Sequence, residues 1–357
     1  MANKIAMISD IHFGVRNNSE QYLEMIKTFF IKTLADVLVD RKITDVRILG
    51  DLFDCRNNVN VRTLNVVLEV IEWYEKNCPD VVFTMFPGNH DVYYRNKNDV
   101  HIMKIFNNHK NVVVHERLHK EMIGNKKVLS VPWLVETTED EMKFAKICSG
   151  NEKYDLLLGH FEIRDFEINK GQIDETGKSH DDFKNFTRVF SGHYHIRNTI
   201  NQISYLGCPY ELTWGDYQDA KGIHIYDVDT NETEFIQNTL SPIHVKVSIE
   251  DLQNKNKEVI DKIKGNYVKF LINKKVDDVW LVKAQAKLDS MGALEMKPEN
   301  SVIDELELKS GVELNLNNSG YPPTMMSEYF NNTEVDEGVE IDELNRRVSD
   351  IYQSSLR

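Results

Sequence analysis

The chain has 357 residues, 41% hydrophobic and 28% charged, with a net charge of −14, a globular balance with room for one large domain and one or two smaller ones. No run approaches the roughly 18–20 apolar residues of a membrane span, the N-terminus enters a strand almost at once, and Cys55, Cys78, Cys148 and Cys208 lack paired spacing; a reduced, soluble, cytoplasmic protein is expected. The charge argues against a protein that coats nucleic acid through a basic surface, although 13 acidic against four basic residues from Glu299 onward carry most of the excess.

The first two-thirds alternates strand and helix. Apolar Ile5–Ile8 predicts a strand, and Tyr22, Leu23, Ile26, Phe29, Phe30, Leu34, Val37 and Leu38 predict an amphipathic helix over Ser19–Lys42. Val46–Leu49 predicts the next strand, Val59–Asn77 a helix stopped by Cys78-Pro79, Val81–Phe86 a strand and Asp99–His109 a shorter helix. Further strands are expected at Lys127–Trp133, Tyr154–Gly159, Thr187–Gly192, Ile203–Gly207 and Gly222–Val228. This alternation predicts a layered α/β arrangement with its helices outside. After Ser241-Pro242 the character changes to a small α+β unit with strands near His244–Ile249 and Asn266–Ile272. Asn- and Gly-rich residues 311–323 read as a linker, and two apolar stripes at helical spacing follow: Met325, Met326, Tyr329 and Phe330, then Ile341, Leu344, Val348, Ile351 and Tyr352. The expected division is a catalytic domain over 1–240, a small domain over 241–310, the linker, and a helical segment over 324–357. Short helices after a linker cannot cover an apolar stripe alone, so that segment is expected to dock a partner or to fold back on the first domain.

Five short clusters carry the chemistry. Asp10-Ile11-His12, Gly50-Asp51-Leu52-Phe53-Asp54, Gly88-Asn89-His90-Asp91, Gly159-His160 and Gly192-His193-Tyr194-His195 each follow an apolar run. Carboxylate, amide oxygen and imidazole are the ligands that hard and borderline divalent cations take. The clusters together offer enough for two cations, which about 3.5–4 Å apart would clamp a phosphate and activate a water. About forty residues separate Asp10 from Asp51 and Asp51 from Asn89, the length of a strand–helix–strand unit. One lone histidine in such a loop is more often a cap or a core hydrogen-bonding group; five clusters in this order point to a metal site.

This set resembles the calcineurin-like metallophosphoesterase superfamily, and within it the nuclease subunit of SbcC–SbcD-type DNA-break-processing complexes. The narrower likeness rests on Asp10-Ile11-His12-Phe13-Gly14, on the Asp that ends Pro87-Gly88-Asn89-His90-Asp91, and on Tyr205-Leu206-Gly207-Cys208-Pro209, Trp214-Gly215-Asp216 and Lys221–Asp227. It covers about residues 4–230, and the chain's compactness is similar to the shorter recombination endonuclease subunits of large tailed phages, which would act in the host cytoplasm.

The resemblance implies a two-sheet sandwich flanked by helices, with a small α+β capping domain and C-terminal helices. It implies one divalent metal on Asp10, His12, Asp51 and His195 and another on Asp51, Asn89, His160 and His193, with manganese as the activating ion. It further implies 3′-5′ exonuclease and endonuclease action on DNA, a homodimer, and a coiled-coil ATPase partner of the SbcC type within a heterotetramer. His90, anchored beside a ligand, is the expected acid–base residue, and Asp54 its orienting partner or a helix cap. SbcD-like relatives place His at the Asp54 position and the phosphatase branch Asp, which keeps a metallophosphatase or small-molecule phosphodiesterase as the alternative; against it, Cys55-Arg56-Asn57 replaces the phosphatase Arg-Gly. Arg16, Arg56 and Arg95 follow the first three clusters and are positioned in sequence to meet DNA phosphates, or else to be solvated or paired. Asp91 is expected to give local support, and Cys55 to pack beside the site.

Overall fold

The computed structural model describes residues 4–136, 138–274 and 276–300. Strand β1 (Lys4–Ile8) pairs in parallel with β2 (Asp45–Ile48), β2 with β3 (Val82–Met85), and β3 with β4 (Val112–Val114). After the hairpin of β5 (His119–Ile123) and β6 (Lys126–Val131), β7 (Tyr154–His160) continues a second sheet. A small hairpin, β8 (Glu167–Asn169) with β9 (Gln172–Ile173), precedes β10 (Phe186–Gly192), β11 (Asn198–Ile200) and β12 (Ile203–Tyr205). Finally β13 (Gly222–Asp227) and β14 (Glu232–Gln237) return antiparallel to the first sheet. The two six-stranded sheets run β14-β13-β1-β2-β3-β4 and β11-β12-β10-β7-β6-β5.

The alternation of side chains along a strand decides the layers. Ile5 and Met7 of β1 join Leu156, Leu158, Phe190, Leu206 and Tyr226 in a core between the sheets. Their neighbours Ala6 and Ile8 face the other way, among helical residues such as Leu23, Ile26, Phe30 and Ile71. On the far side, Leu129, Leu157 and Val189 pack with Phe144 and Ile147 of the helix Glu139–Ser149. Helix, sheet, sheet, helix is thus the order of layers, a mixed α/β sandwich as the clusters and spacing led one to expect.

The expected helix over Ser19–Lys42 is continuous over 20–41, but its centre, Phe29–Leu34, is a π-helical turn. There the Tyr74 hydroxyl donates to the Phe30 carbonyl at 2.6 Å, tying the turn to the second helix, Val61–Asn77. That helix opens where the Asn60 side chain accepts from the Arg62 N–H, and stops at Cys78 before Pro79. The expected helix over Asp99–His109 shrinks to a 3₁₀ turn, Ile102–Phe106. It buries Met103 and Phe106 in the core and packs Ile102 against it, too little apolar surface for a longer helix. Helices Glu139–Ser149 and Asp278–Ser290 went unanticipated.

Beyond residue 241, β15 (His244–Ser248) pairs in parallel with β16 (Tyr267–Ile272), and β17 (Glu295–Asn300) completes a three-stranded sheet. Tyr267 stacks on Tyr22 with ring centroids 4.8 Å apart, and buried His244 bonds to buried Glu211 at 2.8 Å. These contacts tie the third sheet to the first 240 residues, and the described residues up to Leu271, with 276–299, make one compact unit. The linker at 311–323 and the stripes at Met325, Met326, Tyr329, Phe330 and Ile341, Leu344, Val348, Ile351, Tyr352 lie outside the described residues. No helix among the described residues is long and apolar enough to cross a membrane.

Candidate metal centre

All five clusters sit at C-terminal strand ends. Ile8 pairs with Ile48 and Ile48 with Met85, while Gly192 pairs with His160; the parallel register therefore delivers five loops to one rim, where open α/β sheets place their sites. The first two loops are zipped together: Ile11 and His12 N–H groups donate to the Asp51 carbonyl at 2.9 and 3.1 Å, and Phe13 to Leu52 at 2.8 Å. Asp91 staples the third loop to the second, accepting from Gly88 N (2.9 Å), Phe53 N (3.0 Å) and Leu52 N (3.2 Å). Burial and the nearby Asp51 push its carboxyl up to about 7. The local support expected of Asp91 is this three-fold grip.

Asp10, His12, Asp51 and His193 are non-glycines with positive φ (56°, 53°, 51° and 100°). Each such residue costs on the order of 1–3 kcal/mol and persists only where its surroundings dictate it. The strain turns the chain sharply after β1, β2 and β10 and aims the side chains inward. The glycines serve two different needs. Gly50 has φ 86°; Gly88 has none of that strain, but a Cβ there would meet Asp51 Oδ1 at 2.1 Å. It is glycine because the backbone passes against the carboxylate.

The side chains fall into two groups that share Asp51. In one, His12 Nε2 and His195 Nε2 are 3.1 Å apart, with Asp10 beside them and Asp51 Oδ2 at 3.8 Å from His12. In the other, Asn89 Oδ1 lies 2.9 Å from His160 Nε2 and 3.0 Å from His193 Nδ1, and Asp51 Oδ2 is 3.4 Å from His160. Asp51 Oδ2 thus faces both groups while Oδ1 accepts the His90 N–H at 2.8 Å. The remaining nitrogens are held from behind. His160 Nδ1 donates to the Leu49 carbonyl at 2.7 Å, and His193 Nε2 lies 3.3 Å from Glu162. Backing of this kind fixes the tautomer and turns the opposite lone pair to a metal.

The donor set fits divalent cations. With its Nδ1 proton given to Leu49, neutral His160 offers a lone pair toward two oxygen acceptors, an arrangement that needs a positive charge between them. Without a cation the imidazole itself supplies the charge. Although burial opposes it, Asp51 raises His160 to about 9, and the imidazoles of His160 and His12 hold the Asp51 carboxyl well below the usual range against the effect of burial. On the other side burial and neighbouring His12 push His195 down to about 4.

His90 is half-buried, its ring edge-on to His12 with centroids 4.9 Å apart. Its Nδ1 donates at 2.6 Å to the main-chain carbonyl of Asp54. The expected carboxylate partner is thereby corrected: the Asp54 side chain turns instead to His12 Nδ1, at 3.2 Å. The reason is the loop's direction, which points the peptide oxygen and the carboxylate to different imidazoles. Nor does Asp54 cap a helix, since the next begins at Val61 with Asn60 as its cap. Among the three arginines, Arg16 is exposed, lies over the Tyr22 ring at 6.0 Å and donates to the Leu212 carbonyl at 3.4 Å. Arg56 is half-buried, and exposed Arg95 borders a cavity beside the site. Cys55 is exposed and outside every ligand group.

Sequence reasoning missed three supporting residues. Glu162 lies two positions after His160, the spacing that puts two side chains on one side of an extended chain, and that was its only signal. Trp133 leaves the end of β6 with its ring 5.3 Å from His193 and 6.0 Å from His160. Lys221, 4% exposed, donates to the His195 carbonyl (2.6 Å), Asp216 (2.7 Å) and Asp219 (2.8 Å). Cys208 lies in the same pocket, 3.5 Å from Asp216, with its thiol pushed well up by burial.

A mixed sandwich whose parallel strand ends gather two Asp/Asn/His groups around one shared carboxylate defines a metal-dependent phosphoesterase, and residues 3–197 match the family model "Calcineurin-like phosphoesterase". The chain belongs to that family. It is also similar to exonuclease subunit 1 of Enterobacteria phage T4, at 25% identity over 338 residues, 92% of each chain.

Proposed function

We propose that the protein is a metal-dependent DNA nuclease with exonuclease and endonuclease action, and the nuclease subunit of an ATPase–nuclease complex that prepares DNA ends for recombination and repair in the host cytoplasm. The observation that carries it is the pair of ligand groups sharing Asp51, with His90 at their edge and claimed by neither. Similarity over nearly the whole length to a phage exonuclease subunit directs the family chemistry toward DNA.

In this reading Asp10, His12, Asp51 and His195 hold one divalent ion, and Asp51, Asn89, His160 and His193 the other. The bound ions, manganese by preference, supply Lewis acidity at the phosphate and lower the pKa of a water. The protein's own part is positional and protonic. Glu162 and the Leu49 carbonyl keep His193 and His160 in their ligating tautomers. His90 donates a hydrogen bond from Nδ1 to the Asp54 carbonyl, which leaves Nε2 to meet the phosphoryl oxygens and, in the protonated ring, to hand its proton to the leaving 3′ oxygen. Asp54 steadies His12, and Arg16, Arg56 and Arg95 meet flanking phosphates. The net charge of −14 agrees with a protein whose local field at the site is set by bound cations rather than by surface lysines. The C-terminal stripes dock the coiled-coil ATPase partner, two nuclease chains meet in a heterotetramer, and residues 241–310 shape the approach of DNA.

End-labelled duplex DNA with manganese tests this, run beside Asp51→Ala and a small phosphodiester dye ester. Degradation of DNA by the wild-type chain but not by the variant is expected. Hydrolysis of the dye ester alone, also after the ATPase partner is added, would replace the nuclease with a small-molecule phosphodiesterase.

A further inference from the structure

Beside the metal centre lies a cavity of about 530 Å³, within the size range of small-molecule sites. One wall is apolar, formed by Trp133, Leu134 and Val135 where the chain leaves β6; His160 and Glu162 border it on the metal side. Trp133 is half-buried and fixed. Its main-chain N–H donates to the Pro87 carbonyl at 2.8 Å, just before the Gly88–Asp91 loop, and its ring lies 5.3 Å from the His193 ring at 31°. The indole thus packs tilted against His193 and crosswise to His160, and Trp133 also lines the cavity.

The charge of the cavity decides what enters it. Its carboxylates are Glu136, Glu141 and Glu162, against Arg95 and Lys178, and Lys178 is already paired with Glu141 at 2.8 Å. Away from Arg95, a run of phosphates is disfavoured there. An uncharged planar group bearing N–H donors is favoured, because it can lie on the indole and donate to carboxylates at the rim. A nucleobase has that chemistry, and stacking on an aromatic ring suits any of the four.

We propose that this cavity is a nucleoside subsite: with the scissile phosphate at the metal centre, the adjoining base leaves the stack and lies on Trp133. The inference rests on the nuclease reading above and adds that the substrate is a single unpaired nucleotide at its reacting end. A base that lies on the indole has left its pairing partner, so a duplex end must fray before it is cut.

The test compares an oligonucleotide with its copy carrying an abasic residue next to the cleaved bond, for wild type, Trp133→Ala and Trp133→Phe with manganese. Wild type should cut the normal strand at least ten-fold better in kcat/KM than the abasic one. In Trp133→Ala that preference should collapse to near one-fold, and Trp133→Phe should restore most of it. A preference unchanged in Trp133→Ala overturns the subsite while leaving the nuclease intact. Equilibrium dialysis of deoxyadenosine monophosphate against inorganic phosphate needs no cleavage. If no strand is cut yet nucleotide binding falls ten-fold in Trp133→Ala with phosphate binding kept, the subsite stands and the nuclease reading falls. Equal losses of nucleotide and phosphate binding make Trp133 a support for His193 only, and overturn the subsite.

Discussion

At the scale of single residues, the proposed chemistry separates holding from reacting. His90 lies outside the two groups that share Asp51, although its ring forms a further His/Asp cluster with His12 and Asp54; its Nδ1 is engaged by the Asp54 carbonyl and its main-chain N–H by Asp51. His90→Ala should therefore lower kcat by about 10²–10⁴-fold while manganese stoichiometry, read by equilibrium dialysis, stays as in wild type. Loss of metal binding in that variant would make His90 a ligand instead. Lys221 is the opposite kind of residue, buried and bonded to the backbone of His195. Burial disfavours its charge, but Cys208, Asp216 and Asp219 hold its pKa well above the ordinary lysine value, and the Asp216 carboxyl is in turn held down to about 2 by Lys221 against burial. Removing one member of such a buried group strands the others, so Lys221→Met should cost about 3–5 kcal/mol in urea unfolding. Because His195 loses its tether as well, metal affinity should fall in the variant under conditions where it remains folded; unchanged affinity would leave Lys221 with stability alone.

Among elements, the strands were the most legible. Ile5–Ile8, Val46–Leu49 and Val81–Phe86 announced β1 to β3 because buried parallel strands are nearly continuous apolar runs. Edge and hairpin strands escaped: His119–Ile123 and Glu232–Gln237 alternate exposed with partly buried residues, and their composition does not separate them from loops. Strand β13 holds another consequence of burial. His224 Nε2 donates to the Leu206 carbonyl at 3.1 Å inside the sheet region, and burial pushes the imidazole down to about 4. Its folded pKa thus lies below the unfolded value near 6.5. The stabilisation is complete above about pH 6.5 and drains away as pH falls toward 4, because only the unfolded chain takes the proton in that window. Chelator-treated protein should lose on the order of 2 kcal/mol between pH 7 and pH 4.5 through this group, and His224→Gln should flatten the slope by that share. An identical slope in the variant would assign the pH dependence elsewhere.

For the whole molecule, the metal centre joins five loops from both sheets, so cation binding and folding are coupled. Manganese at a hundred times its dissociation constant should stabilise the chain by about 2.7 kcal/mol, seen as a rise in the melting temperature that Asp51→Ala largely abolishes; a midpoint indifferent to manganese would contradict the ligand assignment. The sequence by itself determined the fold class and the residue types gathered at the site, since apolar runs ending in Asp, Asn and His clusters are local patterns and strand–helix–strand spacing limits how they can assemble. Tertiary structure decided what no local pattern encodes. It alone put Asp54's carbonyl, not its carboxylate, on His90; brought Glu162 behind His193; buried Lys221 under His195; and opened a cavity against Trp133. The physical reason is that ligand identity is carried by side-chain chemistry, whereas second contacts depend on distances between elements far apart in the chain, fixed only when the two sheets pack face to face.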